Sequence, residues 1–547
     1  MRGVIREMLP KVRRKISGLA WLFGLAPVFQ CAGASEQPNI LLIITDDQDF
    51  ATIGAYGGNV LTPNIDRLAK EGMLFRRAYC TTSSCAPSRY AIMTGRLASR
   101  CESKASYAVN PPGQQAYLTN QAIVLDPDRP TLPRILKSAG YRTGFVGKWH
   151  LGPHSSEEVG IHPVSGLGRL GDPEVDKVLR ENQQAMKQWL QRVGFDYAAS
   201  VYWDNVGEPQ SYVDGLNAQN MEWTVQGALD FLDAQKSEDE PFFLWMATTL
   251  LHNPCGAAKD FAPLSGSERI TPGGLLDSVP DVMRPRADIY ARLNEAGIPI
   301  QIDPEQACLK YGADYCLWLD DGVGAVLDRL DELGVADNTL VIFFSDNATW
   351  GKFHTYERGC NVPLIVRWPG RITAGSESDA LVANVDFAPT LLDAVGVQPA
   401  QNMCEDGVSQ LEVWTGRRNS IRNHVLLEFG CSRAITDGEW KYIALRPTPA
   451  DIAFGKQLGL PVGHWGAAET AARFRNLAKA WRRWHERKYP AYYDSDQLYR
   501  LSSDPFEKKN LAFDPAYEPS LLRMQKMLSA GLAGLGRPFG EFKKEEL

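Results

Sequence analysis

The chain contains continuous apolar runs that end in polar side chains. Residues 39–45 and 339–345 form two such runs, and residues 241–247 form a third. Runs of this kind predict strands that are buried on both faces of a sheet. Apolar residues recur at helical spacing before the second run, at Leu319, Val323, Val326, Leu327, Leu330 and Leu333. The order of helix and strand predicts a parallel sheet of an α/β fold.

The length and the first residues of the chain indicate an exported protein with more than one structural unit. The chain has 547 residues, of which 44% are hydrophobic and 22% are charged, as in ordinary globular proteins. A basic start is followed by an apolar run at residues 16–29 and by Ala32-Gly33-Ala34. This pattern predicts a secretory signal over residues 1–34, and the apolar run within it is too short for a membrane span. We expect a periplasmic or secreted protein without a transmembrane segment. Lipid attachment at Cys31 is an alternative that we rank below cleavage after Ala34, because Gln30 is bulky where a lipid-attachment signal has a small residue.

The net charge bears on the partners. The chain carries a net charge of −7, and removal of the basic signal changes it to about −12. This charge gives no general attraction for a polyanion, and we expect no nucleic-acid partner. Affinity for an anionic substrate must come from a local cluster of basic side chains. The ten cysteines show no metal-finger spacing, and their pairing is left open.

The stretch from Cys85 to Arg96 reads Cys-Ala-Pro-Ser-Arg-Tyr-Ala-Ile-Met-Thr-Gly-Arg. Pro87 suits the first turn of a helix, which places Cys85 just before a helix N-terminus. Backbone N–H groups at that end and the guanidinium of Arg89, one turn further on, favour an anion beside Cys85.

Two pairs of oxygen-bearing side chains follow the first two apolar runs. Asp46 and Asp47 end the first run, and Asp346 and Asn347 end the second. The carboxyl ends of parallel strands share one edge of a sheet, where ligands of open α/β sheets collect. Hard oxygen ligands of this kind suit Ca²⁺ or Mg²⁺ better than zinc.

Further motifs lie between and after these runs. Lys148 and His150 belong to Gly-Lys-Trp-His-Leu-Gly, and they would share one face if the extended conformation continues. His252 follows the third run, and Lys352 precedes Tyr-Glu-Arg-Gly at residues 356–359.

In this order, the motifs from about Pro38 to Gly370 resemble those of the formylglycine-dependent sulfatases of the alkaline phosphatase superfamily. The resemblance implies a large, mostly parallel central sheet flanked by helices, and a smaller C-terminal subdomain with an antiparallel sheet and a helix. Strand-like runs at residues 424–429 and 441–445, around a turn at Asp437-Gly438, agree with that subdomain. We therefore expect a signal peptide over 1–34, a catalytic domain over 35–420 and a C-terminal subdomain over 421–547.

The resemblance also implies the prosthetic chemistry. Cys85 would be oxidised after translation to formylglycine by a maturation enzyme. A divalent cation, Ca²⁺ or alternatively Mg²⁺, would be bound by Asp46, Asp47, Asp346, Asn347 and the modified residue 85.

The resemblance assigns roles to the remaining motif residues in the hydrolysis of a sulfate ester, with a sulfated carbohydrate as the expected substrate. Arg89 would stabilise the hydrate of the modified residue. Lys148 and Lys352 would bind sulfate oxygens. His252 would protonate the leaving oxygen, and His150 would take a proton from the hydrate.

Some positions depart from the family pattern, and two alternative functions are open. Leu251 stands where the family usually has His, and Ala348, Arg358 and Asn361 replace Gly, Gly and Arg. One alternative is a phosphonate or phosphate monoester hydrolase of the same superfamily. The other is an exported, non-catalytic protein that binds sulfated glycans. The sugar, the sulfate position and the oligomeric state are not readable from the sequence.

Overall fold

The computed structural model of the chain describes residues 37–164, 166–167, 172–206, 219–235, 240–252, 283–302, 312–458, 462–464 and 486–540. The expected signal segment, with Cys31, lies outside these residues. The strands are β1 (Asn39–Thr45), β2 (Met73–Phe75), β3 (Ala78–Tyr79), β4 (Arg142–Lys148), β5 (Tyr197–Tyr202), β6 (Phe242–Ala247), β7 (Thr339–Ser345), β8 (Leu364–Arg367), β9 (Ser376–Ser378), β10 (Val382–Ala383), β11 (Val425–Phe429), β12 (Ser432–Thr436), β13 (Trp440–Leu445) and β14 (Asp496–Arg500). The helices are α1 (Pro63–Glu71), α2 (Cys85–Thr94), α3 (Lys104–Val109), α4 (Leu132–Ser138), α5 (Ser156–Val159), α6 (Pro173–Val193), α7 (Met221–Ala234), α8 (Ile289–Glu295), α9 (Ala313–Glu332), α10 (Glu357–Cys360), α11 (Phe387–Ala394), α12 (Leu411–Trp414), α13 (Pro449–Leu458) and α14 (Glu518–Ala533).

The central sheet has eight strands in the order β5-β4-β6-β1-β7-β8-β2-β9. β4 pairs in parallel with β5 and β6, and β1 pairs in parallel with β6 and β7. Only β8 runs against its neighbours β7 and β2 among the pairs described. The mostly parallel central sheet predicted from the sequence is therefore confirmed.

Strand β1 shows why the sheet is covered on both faces. All seven of its residues are buried. Ile40, Leu42 and Ile44 enter one hydrophobic cluster, whereas Leu41 and Ile43 enter another. Alternate side chains of a strand point to opposite faces, so each face of the sheet has its own core. The second cluster includes buried residues of α9, and that helix leads into β7 as the helical spacing predicted.

The second sheet has four antiparallel strands in the order β11-β12-β13-β14, and the apolar side of α14 packs against it. This confirms the antiparallel C-terminal sheet with its helix. The sequence predicted only two strands over residues 423–445, and the structure has three. β12 was missed because Ala434 and Ile435 are its only apolar residues, and its buried Arg433 hydrogen-bonds the carbonyls of Gly430, Ser432 and Ala116.

The seven cysteines within the described residues are all free: Cys80, Cys85, Cys101, Cys316, Cys360, Cys404 and Cys431. Cys255 and Cys308 lie outside the described part of the chain.

Candidate active site

The predicted oxygen ligands meet at the carboxyl edge of the central sheet. β1 and β7 are parallel neighbours with Thr45 opposite Ser345, so the residues that follow them lie side by side. Asp46, Asp346 and Asn347 are fully buried, and the side chain of Asp47 is 6% exposed. The backbone N–H of Asp47 donates to Asp346 Oδ1 at 3.3 Å. We call these four residues the strand-end cluster.

Cys85 lies beside the strand-end cluster. It is the first residue of α2 rather than the residue before it, and Ser84 is the N-cap in an extended conformation. Its Sγ donates to Asp46 Oδ1 at 3.4 Å and accepts from Lys352 Nζ at 3.4 Å. Asn120 holds this helix end, because its Oδ1 accepts from Ser84 Oγ at 2.6 Å and from the Ala86 N–H at 3.1 Å.

Arg89 follows Cys85 by one helical turn and faces the same cluster. Its Nε donates to Asp346 Oδ2 at 2.9 Å, and its Nη1 donates to the Lys148 carbonyl at 2.6 Å. Its Nη2 lies 3.6 Å from Asp46 Oδ2. The guanidinium therefore joins the two acidic strand ends to the end of β4.

Lys148 reaches the cluster from the end of β4. Its ammonium pairs with Asp46 and donates to Asn205 Oδ1 at 2.7 Å. Gly147 has a φ of +92°, and a Cβ there would lie 1.8 Å from the Ala247 carbonyl oxygen. Only glycine fits this approach between β4 and β6.

The condition under which Lys148 and His150 would share a strand face is not met. The pairing of β4 with β5 shifts between Val146 and Lys148, β4 ends at Lys148, and His150 has a φ of +57°. The extended conformation therefore does not continue to His150. The imidazole Nε2 instead lies 3.5 Å from Asp204 Oδ1.

His252 and Lys352 both face Asp47. Lys352 Nζ donates to Asp47 Oδ1 at 2.6 Å, and His252 Nε2 lies 3.8 Å from Asp47 Oδ2. The structure thus brings Cys85, Arg89, Lys148, His252 and Lys352 together around the strand-end cluster. It places His150 near them, against Asp204.

The departures from the family pattern are accommodated locally. Leu251 is fully buried and donates its N–H to the Asp46 carbonyl. The guanidinium carbon of Arg358 stacks 3.4 Å from the centre of the Trp350 ring. The next residue, Gly359, packs so closely against the backbone of Gly351 that a Cβ there would lie 1.8 Å from the Gly351 carbonyl oxygen.

The donor set fits a hard divalent cation. One ligand atom from each of Asp46, Asp47, Cys85 and Asp346 lies within 4.8 Å of the others. The side-chain oxygen of Asn347 is buried and has no hydrogen-bond partner within the described residues. Unpartnered buried oxygens are rare, and oxygen ligands converging on one point are typical of Ca²⁺ or Mg²⁺ sites.

Comparison with known proteins identifies the family. Residues 38–397 match the sequence profile of the sulfatase family. The chain belongs to the sulfatase family. N-acetylgalactosamine-6-sulfatase of Canis lupus familiaris is 31% identical over 435 residues, which are 75% of this chain and 72% of that protein. N-acetylgalactosamine-6-O-sulfatase of Bacteroides thetaiotaomicron is 26% identical over 530 residues, which are 87% of this chain and 90% of that protein.

Solved structures give the same fold. One structure was solved in a study of the metabolism of multiple glycosaminoglycans by Bacteroides thetaiotaomicron. It matches 91% of this sulfatase and 100% of its own chain, with a TM-score of 0.59 and 22% identity. A protein solved in complex with its substrate D-glucosamine-2-N,6-O-disulfate matches 91% and 98%, with a TM-score of 0.56 and 19% identity. The alkaline-phosphatase-like fold predicted from the sequence is confirmed. Sulfatases are sulfuric ester hydrolases, and this chain is one of them.

The surroundings of Asp346 and Asp46 shift the pKa values of these two carboxyls in opposite directions. Burial raises the pKa of Asp346 to about 6, and the neighbouring Asp46 adds to the rise. Burial also acts on Asp46, but Lys148, His252 and Arg89 outweigh it and hold the pKa of Asp46 well below its usual range. One carboxyl is thus readily ionised and the other resists, as expected for two close like charges. A cation between them would favour the ionised form of both.

Three further groups are electrically neutral in this sulfatase at pH 7. Burial and the Asp46 carboxylate raise the pKa of the Cys85 thiol well above its usual range. Burial and the Lys352 ammonium lower the pKa of His252 to about 4. Burial, with Lys148 and Arg89, holds the pKa of His150 well below its usual range. An unmodified Cys85 is therefore a thiol, not the thiolate that acts as a nucleophile.

Asp204, Asn205 and Asn120 contact the predicted site residues and were missed in the sequence. The signal for the first two was present. Asp204 and Asn205 follow β5 at the same edge of the sheet, just as Asp46 and Asp47 follow β1. β5 was not recognised because its residues do not form a purely apolar run. Asn120 begins a short 3₁₀ helix, Asn120–Ala122, and no sequence pattern marked it.

Proposed function

We propose that this sulfatase hydrolyses sulfate ester groups of a sulfated carbohydrate, with a formylglycine at residue 85 and a bound divalent cation. The position of Cys85 carries the proposal. Its Sγ lies 3.4 Å from both Asp46 Oδ1 and Lys352 Nζ, between acidic groups that suit a metal and a cation that suits sulfate. A buried thiol with a raised pKa would serve poorly there as it stands.

The strand-end cluster holds the cation. Asp46, Asp47, Asp346 and Asn347 supply oxygen ligands, joined by the modified residue 85, and Ca²⁺ is the first candidate with Mg²⁺ as the alternative. When bound, the cation supplies Lewis acidity and neutralises charge on the sulfate. Arg89 fixes the orientation of Asp346 through its 2.9 Å hydrogen bond.

In place of the thiol, residue 85 would present a hydroxyl nucleophile once its formylglycine aldehyde has added water to form the hydrate. The side chains around it provide the remaining functions of an ester hydrolysis. Arg89 lies one helical turn away and stabilises residue 85 electrostatically. Lys148 and Lys352 bind the sulfate oxygens, since both ammonium groups pair with carboxylates of the strand-end cluster and that of Lys352 also contacts Cys85 Sγ.

Two histidines handle protons. His252 faces the cluster and donates a proton to the leaving oxygen. Its lowered pKa makes it neutral in the free enzyme, but a bound sulfate group brings negative charge that raises the pKa again. His150 accepts the proton of the residue-85 hydroxyl.

The substrate class is proposed from the relatives. Two of them are named as sulfatases of the 6-position of N-acetylgalactosamine, and one structural neighbour was solved with a 6-O-sulfated glucosamine. Sugars with a 6-O-sulfated amino sugar are therefore the first candidates. The three cations at the site supply the local positive charge that the acidic chain lacks overall.

Export, maturation and domain limits complete the proposal. The signal peptide spans 1–34, the catalytic domain 35–420 and the C-terminal subdomain 421–547. The mature protein is periplasmic or secreted, and a maturation enzyme converts Cys85. Within the described part of the chain, none of the helices combines the length and apolarity needed to cross a membrane.

The test compares the wild-type protein, produced in a host that forms formylglycine, with Cys85→Ala. Each is assayed on an aryl sulfate, an aryl phosphonate and a panel of sulfated amino sugars that includes 6-O-sulfated N-acetylgalactosamine. We expect wild-type sulfate release from the aryl sulfate and from at least one sugar, and none from Cys85→Ala. A preference for the phosphonate, or equal sulfate release by Cys85→Ala, would contradict the proposal.

A further inference from the structure

The segment after β5 runs beside the Lys-Trp-His motif. The Trp149 N–H donates to the Tyr202 carbonyl at 2.8 Å, and the His150 N–H donates to the Trp203 carbonyl at 2.9 Å. These bonds continue the pairing beyond the point where β4 ends. The next residues, Asp204 and Asn205, are therefore held in a fixed position relative to the motif.

Asp204 and Asn205 each contact a motif residue. Asn205 Oδ1 accepts from Lys148 Nζ at 2.7 Å. Asp204 Oδ1 lies 3.5 Å from His150 Nε2 and 3.8 Å from His154 Nδ1. The side chain of His150 is 2% exposed, whereas that of His154 is 25% exposed. His150 is thus the buried partner of the Asp204 carboxylate.

The two nitrogens of His150 have different surroundings. Nε2 lies 3.5 Å from Asp204 Oδ1, an oxygen that can accept a hydrogen bond. Nδ1 is buried and has no hydrogen-bond partner in the described residues. The ring is held in its neutral form by burial together with Lys148, Arg89 and His154, against the opposing effect of Asp46, so its pKa lies well below the usual range. A neutral imidazole carries one proton, and its partner decides which nitrogen holds it.

We infer that Asp204 is a positioning residue that keeps the proton of His150 on Nε2 and leaves Nδ1 as the proton acceptor of the active site. The inference rests on the proposed function, in which His150 accepts the proton of the residue-85 hydroxyl. That proton passes to Nδ1, the Nε2 proton stays in place, and the resulting imidazolium is stabilised by the Asp204 carboxylate. No other reactant is needed.

The first test reads the tautomer without using activity. Histidine labelled with ¹⁵N is introduced into Cys85→Ala, which carries no modification, and His150→Gln identifies the His150 signals among the eight histidines of the chain. We expect Nε2 to appear protonated and Nδ1 unprotonated. We expect Asp204→Asn to shift His150 toward the other tautomer, because an amide can donate to Nε2. Asp128→Asn is the matched control, since its carboxylate is 78% exposed and lies in another loop. An unchanged His150 spectrum in Asp204→Asn would overturn the inference.

The second test is a double-mutant cycle in the modified enzyme. Because a contact that orients a functional histidine contributes about 10–100-fold, Asp204→Asn should lower kcat by about that factor with little change in KM. In a His150→Ala background, the same substitution should have almost no further effect. Asp204→Glu, which keeps the carboxylate, should retain more activity than Asp204→Asn. A raised KM with unchanged kcat, or additive losses in the double variant, would show that Asp204 acts on the substrate instead.

The two proposals fail in different ways. If the modified wild-type enzyme releases no sulfate from any ester, the proposed function is wrong. If it is active but the tautomer or the cycle disagrees, only the inference about Asp204 is wrong.

Discussion

The strand-end cluster and a second buried charged group, formed by Glu357, Lys441 and Glu507, balance their charges differently. The strand-end cluster has three carboxylates and is contacted by three cations, Arg89, Lys148 and Lys352. Its Asn347 oxygen still has no hydrogen-bond partner within the described residues. These cations balance the three carboxylates, and one ligand atom from each of Asp46, Asp47, Asp346 and Cys85 lies within 4.8 Å of the others.

The second group has two carboxylates and one cation. Lys441 Nζ lies 3.1 Å from Glu357 Oε1 and 3.5 Å from Glu507 Oε1. The Tyr79 hydroxyl donates to Glu357 Oε2 at 3.1 Å, and the Glu357 N–H donates to Glu507 Oε2 at 2.7 Å. Burial raises the pKa of Glu507 to about 8, with Glu357 opposing and Lys441 favouring ionisation. A proton on Glu507 therefore balances this group.

The difference shows how buried charges that serve catalysis can be told from buried charges that serve only structure. Both groups contain buried carboxylates, so burial of charge does not separate them. The second group uses its contacts to join α10 to the C-terminal sheet. The strand-end cluster brings oxygens of its three carboxylates within 4.8 Å of one another and of Cys85 Sγ. Convergent ligand atoms beside a potential nucleophile indicate the active site, whereas closed pairing indicates structure.

The largest expected effect comes from Asp346→Asn, which removes a charged ligand and keeps the side-chain size. We expect sulfate release to fall by about 10³-fold, because metal ligation and electrostatic stabilisation each contribute several kcal/mol. Bound metal per chain, measured after dialysis, should fall in parallel. Asp331→Asn, on a carboxylate that is 54% exposed, is the control and should leave both values unchanged. Full metal content and activity in Asp346→Asn would contradict the assignment of this residue.

Lys441→Met should lower the stability of the protein rather than its activity. It leaves the buried Glu357 and Glu507 without their cation, which costs about 3–5 kcal/mol of stability. We expect a clearly lower melting temperature, with activity per folded molecule close to that of the wild type. Lys177→Met, at a lysine that is 62% exposed, should change stability by no more than about 0.5 kcal/mol. A loss of activity without a loss of stability in Lys441→Met would remove the distinction between the two groups.

Lys352→Met should reduce sulfate release by about 10²-fold, as expected when one charge-stabilising donor is removed. Metal content should be retained, because Lys352 is not a ligand. This combination separates a sulfate-binding lysine from a metal site residue such as Asp346. Metal loss comparable to that of Asp346→Asn would show that Lys352 mainly supports the cation site.

Stability should also depend on pH through Glu507. The pKa of Glu507 is raised from 4.5 to about 8 in the folded protein, so the unfolded chain ionises first as pH rises. The contribution of this group to stability is therefore lost between about pH 4.5 and pH 8. Glu507→Gln cannot ionise, and the melting temperature of the wild type relative to this variant should fall across that range. A constant difference between the two proteins would show that Glu507 is ionised throughout.

The sequence predicted the parts of the site that depend on strand ends and short motifs. Asp46, Asp47, Asp346 and Asn347 were predictable because an apolar run fixes where each strand ends and parallel strands share an edge. The central sheet and α9 followed from the same periodicity.

The sequence did not predict features that depend on backbone conformation or tertiary contacts. The turn at His150 depends on a positive φ and on the close approach of Gly147 to Ala247, which no periodicity shows. β12 was missed because tertiary hydrogen bonds bury its polar Arg433. The contact between Asp204 and His150 required the register of β5 beside β4.

The central claim is that sulfate ester hydrolysis depends on conversion of Cys85. It is tested most directly by preparing the protein with graded extents of conversion. The mass of the peptide of residues 78–89 gives the fraction in which Cys85 has exchanged H₂S for O. Sulfate release is measured on the same samples. We predict that sulfate release is proportional to the converted fraction and extrapolates to zero. Activity that is independent of the converted fraction would contradict the account.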